Sequence, residues 1–549
     1  MLFAVRSAAA LHRLLDLLPV FEGDERVRCR FTLVPGSEFD TDALAAVESS
    51  GARCLPWHRA LASRHDLILT ASPKGDLGSL RGHQVLLPHG AGFNKALPDE
   101  GSAALPSGLD PAFLLTDGRP TAALHALAHP AQIERLADQC PAATDRAMVA
   151  GDPTLDRVLV SRDRRDTFRA ALGTGGRRLV VLSSTWGPES LLARRPELPA
   201  LLASCLPHDA FQLALIVHPN EYSRTGRMDL ARRLRPALDA GMVLAGPYEQ
   251  WAALLVAADT VVTDHGSVAL YAAALDRHLV AACDGRGELV PDSPMARLLA
   301  AVPRLDLADP ETAPALLDPP TDAPVGTRRF AEAAFALPGE SLDTLRPELY
   351  KLLGLVPPPY PVQPRPLPVP PAAPPAPSAF AVRARVDGRE VGIDRLPTWT
   401  DLPFHHRAAE YGRAGTRQLE SAALLYRRVG APSPAWHQEY RTAADWTAVM
   451  LAEYPGCRTA GIVLSPTVCL LRRRGGEPFT VRIEPHRDGG RVRLTDPAAV
   501  LSAVHAWAGS ETGGSPEHRP PTELICRIGG TPYRARLEPA ADSDLQQPI

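Results

Sequence analysis

The chain has 549 residues, 45% hydrophobic and 22% charged, with a formal net charge of −3. That length exceeds a single core and suggests about three domains, and the balanced charge removes the basic excess that nucleic acid or an anionic lipid surface would select. Its eight cysteines include no C-x-x-C spacing, which points to reduced structural thiols rather than a disulfide framework or a zinc site.

Met1 to Val5 reads as a first strand and lacks the charged start and long apolar core of a signal peptide. No stretch reaches about 18 uninterrupted apolar residues. The expectation is a cytoplasmic protein with at most peripheral membrane contact. Residues 1–155 alternate strand and helix, with strands expected at 2–5, 27–34, 66–70, 83–87, 113–115 and 147–149 and helices at 8–21 and 42–49. Residues 156–355 repeat the scheme, with strands expected at 179–183, 211–217, 242–244, 260–263 and 278–283. Strands separated by helices imply parallel pairing with right-handed crossovers. A helical stretch from Arg328 to Leu355, broken at Pro338-Gly339, closes this part.

Residues 356–378 form a proline-rich linker, about half proline, expected to be an extended polyproline spacer. Residues 379–549 read as a separate α+β unit. It has strands at 380–386, 461–471, 479–483 and 492–494, and helices at 419–429, 442–453 and 498–507. A closing hairpin is expected around Gly529-Gly530. No motif in this last unit indicates its role, and His405-His406, His437 and His486 show no metal-ligand spacing.

Four segments stand where an apolar run meets a loop: Leu86 to Lys95, Gly151 to Asp156, Ile216 to Asn220 and Thr263 to Ser267. Ligands of open α/β sheets collect at the carboxyl ends of strands, so these turns suggest one cleft assembled from distant parts of the chain. In order and spacing they resemble the CDP-glycerol glycerophosphotransferase family of teichoic-acid polymerases and primases. The matches are His89-Gly90 with Lys95, Gly151 to Asp156, His218-Pro219, and Thr263-Asp264 with Ser267, within residues of about 80 to 350. The sequence departs from the family at His265-Gly266, where the family has Tyr-Ser, and at Ile216, where a basic residue is common.

The resemblance implies a GT-B fold, two Rossmann-like lobes with a cleft between them. It also implies transfer of a glycerophosphoryl, other alditol-phosphoryl or sugar group from a nucleotide-diphosphate donor to a hydroxyl acceptor in cell-envelope polymer synthesis. His89 would act as general base, and His218 would donate to a pyrophosphate oxygen of the leaving nucleotide. Lys95 would pair with a phosphate of the donor or the acceptor, Ser184, Thr185, Asp264, Gly266 and Ser267 would hold the donor nucleotide and its phosphates, His265 would take over stacking or a hydrogen bond from the family's Tyr, and Glu249 would accept from the ribose hydroxyls. Each also has a local reading: His89 and His218 bonded to their own turns, Lys95 solvated, Ser267 or Asp264 as an N-cap, Glu249 supporting a helix start. No Asp-x-Asp follows a strand, so neither a metal nor a cofactor is expected. Two other functions remain open. One is a UDP-N-acetylglucosamine 2-epimerase-like isomerase, against which the carboxylate-free stretch Val268 to Ala274 speaks. The other is a binding or scaffold protein on a degenerate core.

Overall fold

The computed structural model describes residues 1–37, 40–87, 91–96, 106–285, 287–319, 326–430, 441–510 and 522–549. The first lobe is built on a parallel sheet in the spatial order Arg30–Leu33, Leu2–Val5, Arg64–Thr70, Arg81–Leu86, Leu124–Leu127 and Ala147–Val149. The second lobe carries another, in the order Val243–Leu244, Phe211–Val217, Arg178–Ser184, Thr260–Thr263 and His278–Ala281. All seven residues of Phe211–Val217 are buried. So are all but the first of Arg178–Ser184. Continuous burial of this kind marks a parallel sheet covered by helices on both faces.

In each lobe the chain builds outward on one side of its first strand and then crosses to the other. The reversal falls between Leu2–Val5 and Arg64–Thr70 in the first lobe, and between Arg178–Ser184 and Thr260–Thr263 in the second. Such a reversal leaves a crevice at the carboxyl ends of the two strands.

Two features of the first lobe differ from the sequence reading. The helix expected over 8–21 ends at Leu15 and resumes as a 3-10 turn, Leu18–Phe21, because Pro19 cannot continue the ladder. The strand expected at 113–115 is mostly a short helix, Pro111–Leu114, capped by Asp110, and Leu124–Leu127 takes its place in the sheet.

After the second lobe the chain crosses back. Arg328–Glu332 packs on second-lobe helices, whereas Leu342, Leu345, Leu349 and Tyr350 of helix Ser341–Leu353 join the first-lobe core. Asp156 receives N–H bonds from Gly339 and Ser341 at 2.6 and 2.8 Å, anchoring the crossing. The proline-rich segment is extended and docked. Val362 is buried in the first-lobe core and Leu367 in the second-lobe core. Leu367 N–H donates to Ser161 Oγ at 2.9 Å, and Arg157 Nε donates to the Arg365 carbonyl at 3.0 Å.

The carboxyl-terminal unit is a closed nine-stranded barrel, in the order Ala379–Asp387, Glu390–Pro397, Glu523–Ile528, Thr531–Pro539, Phe479–Ile483, Val468–Arg473, Thr459–Ser465, Leu424–Arg428 and His406–Glu410. Helix Pro497–Gly509 is buried on every side from Pro497 to Ala508 and shares a core with strands around the barrel, so it fills the interior. The sequence reading placed a helix over 419–429. Only Thr416–Glu420 is helical there, and Leu424–Arg428 is a strand held by parallel neighbours on both sides. The single strand expected over 461–471 is a hairpin that turns at Pro466-Thr467.

The barrel is fastened to the second lobe. Arg395, 2% exposed, donates to both oxygens of Asp209 at 2.8 and 2.6 Å and to Asp496 at 2.8 Å. Gly529, with φ of +56°, brings the barrel hairpin so close that a Cβ there would meet the Asp209 carbonyl at 2.4 Å. No disulfide links any of the eight cysteines. Among the described residues no helix is long and apolar enough to cross a membrane.

Candidate functional site

A cleft of about 650 Å³ opens between the two lobes, and the strand-end turns of both line it. The first lobe contributes Arg6, Ser7 and Ala71 to Lys74, which flank its strand-order reversal, together with Leu87 and Ala91 to Lys95. The second contributes Ser183 to Trp186, Ile216 to Asn220, Gly246 to Glu249 and His265 to Val268. Of the residues singled out in the sequence, Lys95, Ser184, Thr185, His218, Glu249, His265, Gly266 and Ser267 therefore meet in one cavity. His89 lies outside the described residues, between Leu87 and Ala91, which line the cleft.

Asp264 sits beneath the wall and is fully buried. Its Oδ2 accepts N–H bonds from Thr185 and Leu191, both at 2.8 Å, and its Oδ1 accepts one from Gly266 at 2.9 Å. This carboxylate organises the turns on the two central strands. Of these residues Thr185 and Gly266 line the cleft, and Asp264 does not. The Ser267 side chain makes no cap bond to the helix Val268–Ala274, although it occupies the N-cap position.

His218 caps the helix Pro219–Thr225, its Nδ1 accepting from Asn220 N–H at 3.1 Å. In the neutral ring that bond places the proton on Nε2, the donor needed toward an oxyanion. The ring lies 6.3 Å from Trp186, tilted by 36°. Glu249 is engaged by Arg157 at 2.7 Å, and Arg157 also pairs with Asp16 at 3.0 Å.

Lys95 crosses between the lobes. Its Nζ donates to Thr185 Oγ1 at 3.0 Å and stands 3.8 Å from Glu288 Oε2. The same loop is stitched down by Ala96 N–H to the Glu288 carbonyl and by Val290 N–H to the Asn94 carbonyl, at 2.8 and 2.9 Å. Glu288 was not foreseen from the sequence. It belongs to the loop after strand His278–Ala281, so the strand-end rule that marked the other turns would have reached it. His265 Nε2 lies 2.8 Å from Glu288 Oε2, and its Nδ1 is buried without a partner among the described residues. Gly285 closes on that ring, since a Cβ there would lie 2.3 Å from His265 Cγ. Burial pushes the Glu288 carboxyl upward, but the His265 bond and the Lys95 ammonium outweigh it and hold the group below its ordinary range.

The floor of the junction carries a polar network that sequence reasoning also missed. Arg13 Nη1 donates to Tyr271 Oη at 2.7 Å, Tyr271 donates to Asp152 Oδ2 at 2.8 Å, and Thr154 donates to Asp16 Oδ2 at 2.5 Å. Burial pushes the Tyr271 phenol well above its ordinary value. His12 stacks on Tyr248 with ring centroids 4.9 Å apart and lines the cleft. Neither of its ring nitrogens has a partner among the described residues, and burial lowers its pKa to about 4. It is therefore neutral at pH 7. No motif surrounds it in the sequence, where it is one polar residue on an amphipathic helix.

No known family model matches the chain, and no curated protein matches it in sequence. Among solved structures, it is similar to the wall teichoic acid polymerase TagF, at 12% identity over 64% of this chain and 89% of that one, with a TM-score of 0.44. It is similar to MnaA of S. aureus bound to UDP, at 9% identity over 65% and 97% of the two chains and a TM-score of 0.41. A third is HepE of Anabaena in complex with UDP and glucose, at 16% identity over 64% and 98% and a TM-score of 0.40.

Proposed function

We propose that this protein is a transferase that moves a glycerophosphoryl, alditol-phosphoryl or sugar group from a nucleotide-diphosphate donor to a hydroxyl acceptor. One observation carries the reading: the strand-order reversals of two parallel sheets face each other across one cleft, and its wall holds His218, Thr185, Ser267 and Lys95. Parallel sheets bind nucleotides at such reversals. Hydroxyls, the Lys95 ammonium and the His218 imidazole on such a wall suit a pyrophosphate.

In this reading the donor lies along the second-lobe wall. The acceptor hydroxyl oxygen forms the new bond to the transferred group as the bond to the nucleotide breaks. The nucleotide departs with that electron pair, and His218 Nε2–H stabilises the growing charge. The hydroxyl proton goes to His89, the role that the family resemblance suggests for it.

Mass spectrometry of nucleotides that co-purify with the protein, followed by titration with CDP and UDP, tests the reading. A bound CDP-alditol or UDP-sugar, and saturable nucleotide binding, support it. Binding of neither nucleotide at millimolar concentration overturns it. Binding without transfer to any of a panel of polyol and sugar acceptors favours a nucleotide-binding protein on the same scaffold.

A further inference from the structure

We propose that His405, His406 and His505 form a binding site for one divalent transition-metal ion of the zinc type, at the mouth of the carboxyl-terminal barrel and outside the cleft. The sequence brings two of the three together only as neighbours, and the third comes from the helix that fills the barrel. Strands His406–Glu410, Leu424–Arg428 and Thr459–Ser465 run parallel, so their first residues share one end of the barrel. His405 and His406 stand at the start of the first of these strands. The helix Pro497–Gly509 delivers His505 to the same end, where Thr459 begins the third.

One ligand nitrogen from each imidazole lies within 4.8 Å of the other two. The Nδ1 atoms of His405 and His406 are 2.9 Å apart, and the rings of His406 and His505 have centroids 4.4 Å apart. A tetrahedral zinc ion about 2.0–2.1 Å from each nitrogen requires ligand atoms spaced by roughly 3.3 Å, which small ring rotations supply here. Consecutive residues of a regular strand face opposite ways. His405 immediately precedes the strand, and that position lets both rings turn to one point.

The surroundings fit the same ion. His505 Nδ1 is held by Thr459 Oγ1 at 2.8 Å, which leaves Nε2 as the ligating atom, the outer-sphere arrangement common to metal-bound histidines. His406 Nε2 is buried without a partner among the described residues. Burial lowers the pKa of all three rings, that of His505 to about 4. His405 is exposed and gives the ion a way in. Three neutral ligands leave one position of a tetrahedron open.

The test uses the full chain, stripped with a chelator and then titrated with Zn²⁺ and, separately, Co²⁺. Wild type is expected to take up one equivalent of zinc by elemental analysis and to develop the visible absorption of four-coordinate Co²⁺. His505→Asn and His406→Asn are expected to weaken Zn²⁺ binding by about 100-fold or more, and Thr459→Val by about 10-fold. The exposed His405→Ala guards against misfolding. It is expected to lose the metal while melting, in chelator, at the wild-type temperature. Failure of wild type to retain zinc at micromolar concentration overturns the site. So does uptake by His405→Ala and His505→Asn equal to that of wild type.

Discussion

His265 Nε2 lies 2.8 Å from Glu288 Oε2, and Lys95 Nζ stands 3.8 Å from the same oxygen. The carboxylate thus ties the loops after two neighbouring second-lobe strands to a residue of the first lobe. Removing it leaves His265 buried with neither ring nitrogen bonded. Glu288→Ala should cost about 1–3 kcal/mol in urea unfolding at pH 7, and Glu288→Gln less, because the amide oxygen still accepts. The folded-state pKa of Glu288 is depressed, so its contribution is present above the unfolded value of about 4.3 and is lost as pH falls through the folded one. The gap between wild type and Glu288→Ala should therefore narrow below pH 4.

On the proposed reading, His218 serves nucleotide binding and His89 serves turnover. One charge-assisted hydrogen bond contributes about 1.5–3 kcal/mol, so His218→Ala should weaken CDP or UDP binding by roughly 10- to 100-fold in calorimetric titration. His89→Ala should bind nucleotide nearly as wild type does while slowing transfer about 100-fold or more. Equal nucleotide affinity in wild type and His218→Ala would remove His218 from the donor site.

Asp264 holds three backbone amides and makes no contact that requires a ligand. Asp264→Asn exchanges one acceptor oxygen for an NH₂ that faces an N–H. A loss of about 2–4 kcal/mol in stability is expected with no nucleotide present. Unchanged stability would show that the turns at Thr185 and Gly266 are held by other means.

Arg395 sits between Asp209 of the second lobe and Asp496 of the barrel. Burial pushes Asp496 upward, but Arg395 and Arg428 together hold it far below the ordinary carboxylate range. Arg395→Ala leaves two acids facing each other at the seam and should cost about 3–5 kcal/mol. Arg395→Met should cost less than Arg395→Ala, through retained packing. Because the Asp496 pKa is depressed on folding, its contribution is complete above about pH 4 and fades as pH falls below the unfolded value. Calorimetry should then show the barrel melting apart from the lobes in acid or in the variant.

A fragment cut at residue 355 lacks Val362 and Leu367 and deprives buried Arg346 of two acceptors, the Tyr360 carbonyl at 2.5 Å and the Pro358 carbonyl. Residues 1–378 should melt several degrees above residues 1–355, since about 1 kcal/mol moves Tm by a few degrees in a domain of this size. Identical melting would mean that the proline segment adds nothing to the lobes.

Most of the two-lobe architecture was legible because its strands are short apolar runs bounded by loop residues, as in Phe211–Val217 followed by His218-Pro219. The cleft was legible through the same punctuation. The barrel was not, because Leu424–Arg428 carries no alternation of apolar and polar residues to mark it as a strand. Its identity is fixed by neighbours distant in sequence. Glu288, His12 and Arg13 were missed for a related reason: each owes its role to a partner on another element, and none stands in a motif. His505 is the extreme case, an isolated histidine on an otherwise apolar helix, where only the closure of the barrel places it beside His406.

The anchoring of Val362 in one lobe and Leu367 in the other sets a limit on how the cleft can open. Five steps of extended proline-rich chain advance about 3.1 Å each and at most about 3.6 Å. While both anchors hold, the two attachment points therefore stay within about 18 Å of each other. The lobes can swing about that line like covers on a spine, but they cannot draw apart. Entry and exit of a bound molecule would then depend on rotation, widest at the rim farthest from the strap.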